Sequence, residues 1–418
     1  MILNNFLERV LPRRFFQFYV TCRTRLQTRY YILTGCFLPT GYYLPEDFWD
    51  PWPEILKEKK KSEFSTLIKK IFPKCKELAE IFFYLYELRE SKSKNFLSEY
   101  TSILGEISFL HCSSYSYKQW QFLKTISAAL CLYKLSYICR QKAIENSITN
   151  KKNDIPYFLA LMEQEDYKSA WKVIKSMTLI NANIKKILSS YYSLLVNKKP
   201  LEEKKDKYYE FIEDKDVYVM GPVFNEQASV PNNYITVRIN YSLNKSIGMP
   251  NISYYNGGDG IKVVETGIIN KLPQMYFCFK ESKVITEIKK EKQSMCHLCP
   301  EIYVLFPHAV PNMLQIILID ILSSHIKSLT ISGFSFYLNR IYNDSYLEFS
   351  TYLNTADDAL KHKYNYWISF AIHGLIDNYL FVKRFYDKGL FKIDDNILCT
   401  ILDNGIDKYL EKMEQQWA

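Results

Sequence analysis

Glycine is distributed very unevenly along the 418 residues of this chain, and this constrains the fold more than any other feature. Between residues 42 and 220 there is one glycine, Gly105, whereas ten of the thirteen glycines come from residue 221 onward. Because glycine supplies tight turns and strand ends, a long stretch without it favours long helices. The sequence therefore predicts an all-α helical domain over residues 1–200, a charged linker over 201–216, and a domain with many turns and strands over 217–418.

The first half shows the hydrophobic period of helices. Apolar residues from Tyr167 to Ile174 fall at i, i+3, i+4 and i+7. The segment 154–177 predicts a helical hairpin with its turn near Glu165, loosely similar to a tetratricopeptide-type pair, but no second clean copy follows it. Further helices are predicted over residues 64–91, 94–110, 117–146 and 181–197.

Short apolar runs rich in β-branched and aromatic residues predict strands in the second half. They lie at residues 217–221, 234–240, 251–256, 275–279, 301–306 and 328–332. A buried helix beginning at Pro311 separates the last two. Strands that alternate with helices indicate an α/β domain with a mostly parallel, Rossmann-like sheet and flanking helices. Ligands of such sheets bind beyond the carboxyl ends of the strands.

Charge and targeting signals narrow the class of protein. The net charge of +9 suits an anionic partner, and it equally suits a solvated lysine-rich surface. Basic and aromatic residues alternate in the first 31 residues, which predicts either a peripheral contact with anionic lipid or a helical face packed on the rest of the protein. No nucleic-acid motif accompanies them, so we expect no nucleic-acid partner. No secretory signal or apolar window of 18 residues is visible, which predicts a cytoplasmic protein, peripheral on the inner membrane if the basic segment binds lipid.

Cysteine and aspartate patterns do not predict a metal site. Most of the ten cysteines stand in apolar runs, as free buried thiols do. Cys296 and Cys299 flank His297, but zinc needs four ligands and no second pair lies nearby. Asp214 and Asp216 have the spacing of a metal-chelating pair, but they precede a strand inside a charge run.

Residues suited to ligand binding follow several predicted strands. Glycine allows close backbone approach, arginine pairs with anions, and amides and tyrosine hydroxyls form directed hydrogen bonds. Together with a histidine that precedes the last helical run, the candidates are Gly221, Asn225, Arg238, Asn240, Tyr255, Asn256, Ser332, Gly333, Tyr337, Tyr342, Tyr346 and His373.

The order of these residues resembles that of the bacterial CMP-sialic-acid-dependent sialyltransferases of the campylobacter lipooligosaccharide type, over about residues 215–395. The matching motifs are Gly221-Pro222, Arg238-x-Asn240, Tyr254-Tyr255-Asn256, the "SGFSFY" box ending at Tyr337, and His373. The departures are Val223-Phe224 in the first turn, Ser335 in place of the family's aspartate, and Pro311-Asn312-Met313 where the family starts a helix with Thr-Ser-Gly.

The resemblance implies an inverting glycosyltransferase that needs no metal or cofactor. The donor would be CMP-N-acetylneuraminate, CMP-Kdo or a related CMP-ulosonate, and the acceptor a glycan or glycolipid of lipopolysaccharide or capsule synthesis. Tyr337 with Tyr342, or with Tyr346, would stabilise the leaving phosphate, and His373 would be the general base. Asn225, Asn240 and Asn256 would hold cytidine and phosphate. The alternative is a non-catalytic interaction protein with a degenerate transferase domain. The oligomeric state stays open.

Overall fold

The fold is taken from a computed structural model of the chain. It describes residues 65–66, 78–90, 96–111, 114–152, 154–177, 180–200, 206–224, 230–241, 248–272, 275–280, 282–306, 309–338 and 373–417. The chain divides into two compact units. One consists of Met1–Ile126 and Leu135–Lys186, and the other of Ser127–Lys134 and Ile187–Ala418.

The described residues before the first strand form α-helices and connecting loops. The helices are α1 (Leu78–Glu90), α2 (Phe96–Leu104), α3 (Tyr117–Ala129), α4 (Tyr133–Asn150), α5 (Ile155–Glu163), α6 (Tyr167–Ser176), α7 (Ala182–Asn197) and α8 (Lys207–Ile212). The helical hairpin is confirmed as α5 and α6. Asp154 and Asp166 cap the two helices by accepting hydrogen bonds from main-chain N–H groups of the first turn, and Glu165 between them has a φ of 57°.

Two details differ from the sequence prediction. The helix expected over 117–146 is two helices, α3 and α4, and Cys131 between them has a left-handed φ of 60°. The segment expected to be a charged linker or a solvated last helix contains helix α8, capped by Asp206, and one face of this helix is buried. Tyr208 and Tyr209 of this helix are buried, so their aromatic rings anchor a segment whose charged neighbours predicted a solvated one.

The sheet has seven parallel strands, which confirms the α/β class. The strands are β1 (Asp216–Met220), β2 (Ile235–Ile239), β3 (Ile252–Tyr255), β4 (Tyr276–Phe279), β5 (Cys296–Leu298), β6 (Ser328–Ser332) and β7 (Lys392–Ile393). Their order in the sheet is β5-β4-β3-β2-β1-β6-β7. The chain therefore winds outward from β1 to β5, returns to pair β6 with the other side of β1, and continues to β7. This reversal makes the carboxyl ends of β1 and β6 the topological switch point, where doubly wound sheets bind ligands.

One predicted strand is wrong. The apolar run 301–306 contains a 3₁₀ helix, Ile302–Leu305, and the strand of this part of the chain is β5, in the "CHLC" segment. A short apolar run does not distinguish a strand from another buried segment, and Ile302, Val304 and Leu305 are all buried. His297 of β5 pairs in register with Cys278 of β4.

Helices cover both faces of the sheet. After β3 they are α9 (Gly257–Glu265), α10 (Ile268–Lys271), α11 (Ser282–Thr286), α12 (Lys290–Gln293), α13 (Met313–Ile321), α14 (Leu375–Asp387), α15 (Asn396–Asp403) and α16 (Gly405–Trp417). Tyr255, Phe277 and Phe279 belong to the core that includes α9, α10 and α11, whereas Tyr254 and His297 on the opposite face bond Asp320 of α13. Within the described ranges, no helix is both long and apolar enough to cross a bilayer.

Candidate active site at the carboxyl edge of the sheet

Two glycines join the loops at the switch point. Gly221 follows β1 and Gly333 follows β6. The N–H groups of Gly221 and Val223 donate to the carbonyl oxygens of Ser332 and Gly333, at 2.8 and 3.0 Å. A methyl group on Gly221 would lie 2.2 Å from the carbonyl oxygen of Gly333, and one on Gly333 would lie 2.5 Å from the Cα of Phe224. Both glycines were expected to bind substrate. In the structure they are required because the two main chains pack directly on each other.

The loop after β6 has an unusual main-chain conformation. Gly333, Phe336 and Tyr337 all have positive φ angles, of 76°, 48° and 64°. For bulky aromatic residues such angles are rare and unfavourable, and strained residues of this kind cluster at functional sites. Asp395 fixes the start of the loop, because one carboxylate oxygen accepts the N–H of Gly333 at 2.8 Å while the other caps α15 at Leu398.

A chain of hydrogen bonds brings Tyr337 and His373 into one region. The Tyr337 hydroxyl lies 3.5 Å from Oδ1 of Asn312, the residue that precedes α13. The main-chain N–H of Asn312 donates to Oδ1 of Asn378 at 2.9 Å. The Nδ2 group of Asn378 in turn donates to the carbonyl oxygens of His373 and Val310. Two of the residues expected to be catalytic, Tyr337 and His373, therefore lie at the same edge of the sheet, at the start of α13 and α14.

His373 is held as a neutral imidazole. Burial, and then the nearby cation of Lys280, lowers the pKa of His373 from 6.5 to about 4, against an opposing hydrogen bond with the main chain of Val310. Its Nδ1 atom is buried and has no hydrogen-bond partner among the described residues. Lys280 follows β4, so the ring lies at the carboxyl edge. A neutral imidazole with an unengaged nitrogen is able to accept a proton.

Two amides mark the ends of the neighbouring strands. Oδ1 of Asn240 accepts the N–H of Asn256 at 2.9 Å, so the side chain after β2 fixes the turn after β3. Asn240 has a φ of 50°, which asparagine adopts more readily than most residues. The guanidinium carbon of Arg238 lies 5.6 Å from the centre of the Phe224 ring, in the turn after β1.

Two other expected site residues have structural roles. Tyr255 is fully buried, its ring stacks on Phe279 with centroids 5.4 Å apart, and its hydroxyl donates to the carbonyl of Tyr241. Its side chain belongs to the core, and its role in substrate binding stays a prediction. Ser332 is 4% exposed and its hydroxyl donates to the carbonyl of Asp394. Three further candidates lie outside the described residues, namely Asn225, Tyr342 and Tyr346.

Sequence reasoning missed the residue that organises the site, Asn378. It is 1% exposed within the apolar helix α14 and connects the main chain at Val310, Asn312 and His373. A buried amide in an apolar helix was the available signal, since buried polar groups are nearly always hydrogen-bonded.

A second polar cluster is buried on the face of the sheet covered by α13. Asp320 is fully buried and accepts hydrogen bonds from the hydroxyls of Tyr209 at 2.6 Å and Tyr254 at 2.8 Å, and its Oδ2 lies 3.0 Å from Nε2 of His297. Burial, and then the Asp320 carboxylate, raises the pKa of both tyrosines, so they remain donors. His297 is thus a core residue. The described residues contain no group of three or more histidine, cysteine or acidic side chains arranged to hold a metal ion.

Comparison of the chain with protein-family models, with curated proteins and with solved structures found no match. The function therefore has to be argued from the residues themselves.

Proposed function

We propose that this protein is a CMP-sugar-dependent glycosyltransferase that moves a sialic acid or related ulosonate onto a bacterial surface glycan. The observation that carries the proposal is the hydrogen-bonded chain from Tyr337 through Asn312 and Asn378 to His373. It lies at the carboxyl edge of a doubly wound sheet, beside the switch point. The motif order of the sialyltransferases, which the sequence resembles, is the second support.

The reaction needs one proton acceptor and a group that stabilises the leaving phosphate. The acceptor hydroxyl attacks the anomeric carbon from the face opposite the phosphate and gives its proton to His373. The bond between the anomeric carbon and the phosphate oxygen breaks, and CMP leaves with the electron pair. The Tyr337 hydroxyl donates a hydrogen bond to that phosphate as negative charge develops, so the residues supply both functions without a metal.

The nucleotide would occupy the ends of β2 and β3. Asn240 and Asn256 present amides there, and Arg238 contributes positive charge at the same edge. The donor's carboxylate would face the start of α13, where Asn312 stands in place of the hydroxyl residues of the family. Because that part of the site departs from the family's pattern, we extend the proposal to CMP-Kdo as donor.

The proposal also covers the acceptor, the place of the reaction in the cell and the arrangement of the domains. The acceptor would be a glycan or glycolipid of lipopolysaccharide or capsule synthesis, used in the cytoplasm at the inner membrane. The basic and aromatic N-terminal segment would contact that membrane, and the sheet would follow an all-α domain in a sialyltransferase-like arrangement. These parts rest on the sequence and its resemblance.

A thermal-shift screen tests the proposal. CMP, CMP-N-acetylneuraminate and CMP-Kdo are added to the purified protein, with AMP and UMP as controls. A ligand at about 100 times its Kd stabilises the protein by about 2.7 kcal/mol, which for a chain of this length we expect to raise Tm by about 3 °C, for the cytidine ligands alone. If none of the cytidine ligands raises Tm, the proposal is overturned.

Two variants then separate binding from transfer. His373→Gln should still bind CMP and should lose transfer to acceptor, because only the proton acceptor is removed. His325→Gln, at an exposed histidine, is the matched control and should keep full activity. CMP binding without transfer or donor hydrolysis in the unmodified protein would instead support the non-catalytic, degenerate transferase.

A further inference from the structure

The main chain that carries Tyr337 is held in an unfavourable conformation. Phe336 and Tyr337 are consecutive residues with φ angles of 48° and 64°, a region that side chains with a Cβ rarely adopt. Such a conformation persists only where surrounding contacts determine it. Within the loop, the N–H of Leu338 donates to the carbonyl of Ser335 at 2.9 Å. Two further hydrogen bonds to the main chain of these residues come from a distant part of the chain.

Those contacts come from helix α16. The hydroxyl of Tyr409 donates to the carbonyl oxygen of Phe336 at 3.0 Å, and Nε2 of Gln416 donates to the carbonyl oxygen of Tyr337 at 3.2 Å. Tyr409 and Gln416 are seven residues apart, two helical turns, so they lie on the same face of α16. One helix face therefore binds the carbonyls of both strained residues.

The same helix also contacts the element that follows His373. The ring of Tyr409 stacks on Tyr379 of α14, with centroids 4.3 Å apart and planes at 5°. Phe336 meets both rings edge-on, at 5.5 and 6.4 Å. This aromatic cluster, Phe336, Tyr379 and Tyr409, is buried and joins the Tyr337 loop to α14. The main chain of His373 is in turn bound by Asn378 of α14.

Helix α16 is itself anchored within the same compact unit. Glu414 is 2% exposed, and its carboxylate accepts the main-chain N–H of Lys134 at 2.7 Å. Met413 is fully buried. The helix is thus a fixed support against which the loop and α14 are both held.

We propose that Tyr409 and Gln416 are positioning residues for catalysis, which hold the strained loop so that the Tyr337 hydroxyl stays beside Asn312. The proposal rests on the transferase function proposed above. Without these two hydrogen bonds the loop relaxes toward ordinary φ angles, which turns Tyr337 away from the departing phosphate. CMP would be held mainly at Asn240 and Asn256, so its affinity depends only weakly on the loop.

Four variants of the full chain test this proposal. Tyr409→Phe removes only the hydroxyl, and its matched control is Tyr276→Phe, a buried tyrosine that donates to the carbonyl of Lys207 at 2.8 Å. Gln416→Ala removes the second donor, and its control is Gln415→Ala, an adjacent exposed glutamine whose Nε2 donates to Glu411. Each test variant should lower kcat about five- to tenfold, the equivalent of one net hydrogen bond of about 1 kcal/mol. The Kd for CMP should change less than about twofold, and both controls should match the parent protein.

Two further measurements separate positioning from folding and from the function itself. Gln416→Lys keeps an N–H donor and should recover most of the kcat lost in Gln416→Ala, whereas a general loss of stability would not be rescued. Hydrogen exchange of the amides in residues 334–338 reports on the loop without any substrate, and it should be faster in Tyr409→Phe and Gln416→Ala alone.

Each outcome decides one part. Unchanged exchange in the test variants overturns the positioning of the loop. Faster exchange with unchanged kcat would show that the position of the loop does not matter for catalysis. If CMP affinity and kcat fall in parallel, Tyr409 and Gln416 have a structural role only. If the parent protein binds no cytidine ligand, the transferase function fails, and the exchange data still decide whether α16 holds the loop.

Discussion

Protonation of His373 should destabilise the folded protein in mild acid. The pKa of this residue is about 4 in the folded state and 6.5 in the unfolded chain, because burial and then Lys280 disfavour the imidazolium. Between these values the unfolded chain binds more protons than the folded one, so the free energy of unfolding falls as pH falls through 6.5 toward 4. The contribution of neutral His373 to the free energy of unfolding is therefore fully present above about pH 6.5.

The magnitude follows from the difference between the two pKa values. At about 1.36 kcal/mol for each pKa unit, the full difference corresponds to roughly 3 kcal/mol. His373 as a whole is only partly buried, although its Nδ1 is buried, so solvent screening reduces the expected effect to about 2 kcal/mol. That is a large share of the stability of an ordinary domain.

Denaturant unfolding of the parent protein and of His373→Gln at pH 7.5 and 4.5 measures this effect. Carboxylates titrate in both proteins, so their contribution cancels in the comparison. The parent should lose about 2 kcal/mol more than the variant on acidification. Parallel pH profiles would refute the reasoning, and so would an NMR titration in which the His373 resonance, identified by its loss in the variant, moves near pH 6.5.

The same titration bears on the proposed chemistry. A base with a pKa of about 4 is neutral at pH 7 but accepts a proton weakly, and general bases work best when their pKa lies near the operating pH. An anionic donor beside the ring favours the imidazolium and should raise its pKa. Saturating CMP should therefore move the His373 titration upward by NMR, and an unchanged titration would place the nucleotide away from this residue.

Two further substitutions test the core and the switch point. Gly333→Ala should lower the free energy of unfolding, measured with denaturant, more than Gly389→Ala does. Both glycines have left-handed φ angles, which cost an alanine about 1–2 kcal/mol. Only at Gly333 would the added methyl group also collide with the main chain of Phe224. Equal costs would contradict the close packing of the two loops. Asp320→Ala should lower the free energy of unfolding by about 3–5 kcal/mol, because it leaves buried hydrogen-bond donors without their acceptor. Glu411→Ala, the control, should lower it far less. A similar loss for both would show that the buried network contributes little.

The sequence predicted elements that form from local pattern. The hairpin of α5 and α6 followed from its apolar period, and in the structure aspartates cap both helices. Strands β1 to β4 and β6 are apolar runs long enough to recognise. Strands β5 and β7 have three and two residues and carry no such run, so their pairing depends on the neighbouring strand and not on their own composition.

The candidate site was predictable in position but less so in the role of each residue. The position follows from topology, because strand ends of a parallel sheet meet at one edge. The roles depend on contacts between segments far apart in sequence. Asn378 and Asn312 are 66 residues apart, and Tyr255 is in the core because its ring meets Phe279 of the next strand. No local pattern distinguishes a tyrosine that binds a ligand from one that fills the core.

The aromatic residues after β6 include one that fills the core and one that belongs to the candidate site. Phe336 and Tyr337 are adjacent, yet Phe336 is buried against Tyr379 and Tyr409 while the Tyr337 hydroxyl reaches Asn312. The consecutive left-handed φ angles reverse the direction of the chain at this point, so neighbouring side chains serve the core and the site. The sequence shows only a surplus of aromatics. The strain that turns one of them toward the site is stabilised by a helix some 70 residues later, which explains why the motif alone does not determine the geometry.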